Sequence, residues 1–148
     1  MDPDGSTILY RVPARGIRRR DLRAFARQLE IEIASGRPFC CLISGDADLR
    51  RLNRQFCKKD YATDVLSFPA ANAQAEHLGE LAISIDRARA QAADLGHSVD
   101  EELRILMLHG VLHLTGMDHE RDKGRMARAE TRWRRRLGLP AGLIERAS

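Results

Sequence analysis

Apolar residues along the chain switch between two spacings. Leu22, Phe25, Ala26, Leu29 and Ile33 recur every three or four residues, the period of one helix face, and predict a helix over about 18–34 that Gly36 ends. A weakly alternating stretch over 8–12 predicts a short strand ahead of it. After Pro38 the run Phe39-Cys40-Cys41-Leu42-Ile43 is too short for a helix and suits a buried strand, with Ser44-Gly45-Asp46 as its turn. Leu49, Leu52 and Phe56 place a helix over about 46–56, with Arg50, Arg51 and Arg54 on its other sides. Two further strands are predicted over 63–68, stopped by Pro69, and over 78–85, where Leu81, Ile83 and Ile85 alternate with Glu80, Ala82 and Ser84. Residues 70–77 form a polar connection between them. A helix over 86–95 stops at Gly96, and Ser98-Val99-Asp100-Glu101 is a capping-box signature opening another that runs to about 115. A last helix over about 121–137 carries Met126, Ala129, Trp133 and Leu137 as its buried stripe before Gly138 and Pro140 end it. With no repeat, linker or second pattern, the expectation is one domain over 1–148 with its core at about 8–137.

Composition agrees with that picture. The 148 residues are 43% hydrophobic and 31% charged, as expected of a globular chain able to bury one core. The longest apolar stretch, 105–114, is interrupted by His109 and His113 and falls short of the roughly 18 residues a membrane span needs. The N-terminus has neither a basic start nor an apolar run, so no secretory signal is visible and the expected compartment is the cytoplasm. Cys40, Cys41 and Cys57 form no paired framework and read as reduced thiols. Net charge +4 favours an anionic partner without naming one. Arg15, Arg18, Arg19, Arg20 and Arg23 form one cluster and Arg128, Arg132, Arg134, Arg135 and Arg136 another, though each alone is also what a solvated helix face looks like.

Candidate chemistry sits in His109-Gly110-Val111-Leu112-His113-Leu114-Thr115-Gly116-Met117-Asp118-His119. Four residues of helix advance about 400° and roughly 6 Å, so His109 and His113 leave the same face close enough to share one ion. Gly116 can end that helix in a left-handed turn and bring His119 back over the face. A pair of histidines alone is more often structural, and His77 and His97, which lack such context, are read that way. The three together match the spacing of the metzincin zinc-protease signature, with Gly110 standing where the protease has its catalytic glutamate. Three imidazoles suit zinc, copper, iron or nickel and leave a fourth position for water, the arrangement of a catalytic site. Zinc is the first choice, one ion per chain.

This motif, together with Thr63-Asp64-Val65-Leu66-Ser67-Phe68-Pro69 and Leu78-Gly79-Glu80-Leu81-Ala82-Ile83-Ser84, closely resembles the bacterial YbeY family of rRNA-maturation endoribonucleases over about 8–137. The resemblance implies a small α+β domain whose central sheet of about four strands packs against helices. It also implies zinc on His109, His113 and His119, and single-stranded RNA as substrate in ribosome maturation and quality control, with a ribosomal subunit or assembly factors as partners. Two departures stand out. Cys57 occupies the position of an arginine thought to contact RNA, leaving Arg54, Lys58 and Lys59 as candidate phosphate contacts, and Glu80 replaces the family's aspartate.

The expected mechanism is hydrolysis by a water that the ion acidifies to a pKa near 7, which needs no strong base at Gly110. Glu80 is the first candidate to orient that water or a ligand imidazole, with Asp118 second, and Thr63 and Ser67 could contact a phosphate. Two other readings differ in class: a metallopeptidase, and a non-catalytic ribosome-assembly factor stabilised by zinc.

Overall fold

The computed structural model describes residues 5–61, 63–72, 75–118 and 121–147. Within them the chain runs β1 (Thr7–Tyr10), α1 (Arg19–Glu32), β2 (Phe39–Ser44), α2 (Asp46–Cys57), β3 (Val65–Pro69), β4 (Gly79–Ser84), α3 (Ile85–Leu95), α4 (Val99–Leu114), α5 (Arg125–Arg136) and α6 (Leu143–Ala147). The architecture is α+β, one four-stranded sheet with helices around it, in the order β1-β2-β4-β3. β1, β2 and β4 are parallel, as strands joined through helical crossovers can be, while β3 runs antiparallel to β4. Every predicted strand and long helix is present, most of them close to their expected limits, but α5 begins at Arg125, one turn later than the expected start near 121. α6 was not expected, because five residues are too few to show a helical period.

Alternation along the strands separates the two faces of the sheet. Cys41 pairs with Leu81 and Ile43 with Ile83, and all four are at most 2% exposed, joining Leu22, Phe25 and Leu29 of α1 and the buried residues of α4 in one core. Cys40, Leu42, Glu80 and Ala82 alternate with them and turn to the other face, where Leu52 and Phe56 of α2 help enclose a second, mostly apolar cleft of about 580 Å³. Full burial of a leucine or isoleucine contributes roughly 1.5–3 kcal/mol, so the α4 side of the sheet supplies most of the hydrophobic stabilisation.

α4 is the central element. Eleven of its sixteen residues are buried, consistent with a helix apolar on nearly every side. Its start is the predicted capping box: Glu101 N donates to Ser98 Oγ at 3.1 Å and Ser98 N donates to Glu101 Oε1 at 3.2 Å. Its middle rests on β4 at Gly110, where an added Cβ would stand 2.6 Å from Leu81 Cδ2 and 3.2 Å from Cδ1. Its end is the predicted reversal, with Gly116 at φ +102° and its N–H donating to His113 O at 2.9 Å. The chain after α5 remains tied to the core, since Leu139 is buried and Leu143 and Ile144 pack against the same cluster.

Candidate functional site

The last turn and a half of α4 forms one wall of a cleft of about 480 Å³, which β3, the end of α2 with the loop that follows it, and Leu143 of α6 complete. His109 and His113 project into it from one helix face, their ring centroids 4.8 Å apart. Each ring is anchored through Nδ1. His109 Nδ1 lies 2.6 Å from Glu130 Oε2, and His113 Nδ1 lies 2.9 Å from the Met117 carbonyl oxygen that the Gly116 reversal carries back beneath it. A metal-binding histidine needs this kind of outer support, which orients the ring and leads an ion to coordinate Nε2.

The residues present fit a transition ion of the zinc class. Two imidazoles on adjacent turns, each with an oxygen atom beside Nδ1, offer nitrogen donors of the kind such ions take. Among the described residues no group of three or more histidine, cysteine or carboxylate side chains converges on one point. The third ligand that the motif assigns, His119, lies outside the described residues.

The structure sorts the other candidates. Lys59, Thr63, Ser67 and Asp118 line the histidine cleft, as does Cys57. Ser67 Oγ is already committed, donating to Gly110 O at 3.3 Å and so tying β3 to α4. Arg54 and Lys58 are exposed on α2 and its C-cap but are not among the cleft walls, because Asn53 and Cys57, four apart, occupy the facing side of that helix. Glu80 is not brought to the histidines at all. It alternates with Leu81, which meets α4, so its carboxylate belongs to the other face of the sheet and lines the second cleft with Arg11.

The carboxylate beside a cleft imidazole is that of Glu130, not that of Glu80, the acid the sequence pattern put first. Its signal was available: Glu130 lies four residues after Met126 and one after Ala129, on the stripe expected to be buried, and it is 1% exposed. Asp64 also lines the cleft, where its Oδ1 accepts from Val65 N at 2.8 Å and its Oδ2 from Gln91 Nε2 at 3.2 Å. Asn53 is buried and donates from Nδ2 to Tyr61 O at 3.0 Å, folding the loop after α2 over the cleft rim.

The basic clusters prove unequal. On α2, Arg50 pairs with Asp60 through 2.8 and 3.2 Å contacts that hold the aspartate below the usual carboxylate range, and Arg51 pairs with Asp48 at 3.0 Å. On α5, Arg134 pairs with Glu145, while Arg125, Arg128, Arg132 and Arg135 make no ion pair among the described residues and lie exposed at helical spacing.

Comparison with known proteins decides the family. A family model described as Endoribonuclease YbeY matches residues 18–138. The chain belongs to that family. It is 60% identical over 144 residues to Endoribonuclease YbeY of Solibacter usitatus, covering 97% of this chain and 96% of that one. It is 57% identical over 108 residues to the protein of the same name from Koribacter versatilis, covering 72% and 69%. The solution structure of TM1509 from Thermotoga maritima shares the fold, with TM-score 0.58 at 23% identity over 85% of each chain. The family match spans both the histidine segment and the cleft-lining strand β3. No helix among the described residues is long and apolar enough to cross a membrane.

Proposed function

We propose that this chain is a metal-dependent endoribonuclease that cleaves single-stranded RNA during ribosomal RNA maturation and ribosome quality control. It would act in the cytoplasm with a ribosomal subunit or assembly factors as partners. The observation that carries the reading is the pair of cleft-facing imidazoles, each anchored through Nδ1, in a chain whose relatives bear the name endoribonuclease. His109 and His113, with His119, are the residues that would hold the ion, zinc by preference. Such an ion supplies an acidified water and a positive charge for the phosphoryl group.

The chain's own residues do the rest. Lys59 presents a point charge to the scissile phosphate from the cleft wall, and Thr63 offers a hydroxyl beside it. Asp118, exposed at the end of the histidine reversal, is placed to take or return a proton. Cys57 stands at the wall with a thiol that holds no phosphate, so Lys59 carries more of the binding. A peptidase reading lacks its general base: the position of the protease glutamate is Gly110, where even a Cβ would require Leu81 to shift.

Metal analysis of the purified protein beside cleavage of single-stranded RNA, with and without chelator, tests this proposal. Chelator-sensitive cleavage with about one equivalent of metal is expected. Equal activity of folded, metal-free protein, or cleavage of unfolded protein substrates with RNA left intact, would overturn it.

A further inference from the structure

We infer that the C-terminal segment 142–147 positions the candidate ligand His109 through Glu130, a positioning residue whose two oxygens are divided between the site and that segment. The inference rests on His109 being a metal ligand, as proposed above. Glu130 Oε2 stands 2.6 Å from His109 Nδ1, and Oε1 accepts the Ile144 backbone N–H at 2.9 Å. A carboxylate only accepts hydrogen bonds, so in this arrangement the His109 proton sits on Nδ1 and Nε2 is the nitrogen able to coordinate. Two donors on two oxygens also account for glutamate rather than glutamine, whose amide nitrogen would face one of the donors with another donor.

The segment passes Glu130 as closely as a backbone can. A Cβ at Gly142 would fall 2.3 Å from Oε1 and 2.6 Å from the carboxyl carbon. A five-residue helix has little stability of its own, so contacts elsewhere must hold it. Glu145 takes Arg134 through both oxygens at 2.7 and 2.8 Å, and Arg146 pairs with the buried Glu102 of α4. Leu143, between the Gly142 approach and the Ile144 hydrogen bond, reaches the wall of the histidine cleft. The segment itself lies beyond residue 138, where the family match ends, while its partners Glu102, Glu130 and Arg134 lie within it.

Two variants address the link without touching a ligand. Ile144→Pro deletes the N–H in the first turn of α6, where proline is tolerated, and Gly142→Ala drives a methyl group onto Glu130 Oε1. Nitrogen NMR of metal-free protein at pH 8 reads which His109 nitrogen carries the proton, and a zinc titration against a competing chelator reads affinity. The wild type should show the Nδ1–H form. Both variants should shift toward a mixture and lose about 10- to 100-fold in zinc affinity, with circular dichroism unchanged. Should Ile144→Pro fail to fold, Gly142→Ala carries the same test. A wild-type tautomer and wild-type zinc affinity in the folded variants would overturn the inference. A tautomer shift in a protein that takes up no zinc even as wild type would instead uphold the positioning and sink the metal reading.

Discussion

Two of the described histidines, His97 and His109, have a carboxylate oxygen 2.6 Å away, and of these two His109 faces the cleft. His97, just before α4, spends Nε2 on Glu102, which also receives Arg146, so ring, acid and guanidinium close on one another near the start of the helix. His109, near the end of the same helix, spends Nδ1 on Glu130 and shares its cleft with His113, Lys59 and Asp118. A carboxylate beside an imidazole is therefore no mark of a site by itself. What separates the two is which nitrogen the acid takes and what surrounds the rest of the ring.

The comparison fails first if the two ends of α4 respond alike. His113→Ala should cost most of the bound metal, more than the roughly 100-fold of an outer-support change, while circular dichroism stays native. A full equivalent of zinc retained by the folded variant would end the distinction. His97→Ala should do the opposite, lowering stability by about 1–3 kcal/mol in urea titration because the buried Glu102 loses one of its two partners while keeping Arg146, with zinc uptake unchanged. Loss of zinc there would mean that both ends of α4 serve the site.

Smaller effects sharpen the contrast. Cys57→Arg restores a guanidinium at the cleft wall and should tighten single-stranded RNA, with the slope of log affinity against log salt steeper by about 0.7 for one added phosphate contact. An unchanged slope would place the phosphate elsewhere. The least effect should come from acid. Hydrogen bonding to Arg134 lowers the Glu145 pKa to about 2, so that pair stabilises α6 fully above the ordinary glutamate range and loses its contribution as pH falls from about 4.5 through about 2. Thermal unfolding of wild type and Glu145→Gln should converge across that window, and parallel curves would show that the pair does not hold α6.

Much of this was legible in the chain because it depends on neighbours in sequence. The facing of His109 and His113, the capping box at Ser98 and Glu101, and the reversal at Gly116 are set within a few residues by helix geometry. What was not legible depends on partners far apart. Period-two alternation puts Glu80 opposite Leu81, but nothing local says on which face of the sheet α4 will lie, and the carboxylate went to the other cleft. Glu130 needs a partner 21 residues back to show its use. On the basic face of α2, Arg50 is neutralised by Asp60, which reaches it only because the loop after the helix folds back. α6 is too short for periodicity and is held by contacts with α4 and α5.

The close approach at Gly110 has an evolutionary reading. Any side chain there collides with Leu81, and overpacking of a core costs typically 1–3 kcal/mol before a buried carboxylate is counted. Trimming Leu81 first would open a cavity beneath α4, at about 2–5 kcal/mol. The two positions are thus coupled: a change at either one alters the cost of a change at the other. In a lineage with this packing, a side chain beside the first histidine would cost less once Leu81 had given way to a smaller residue.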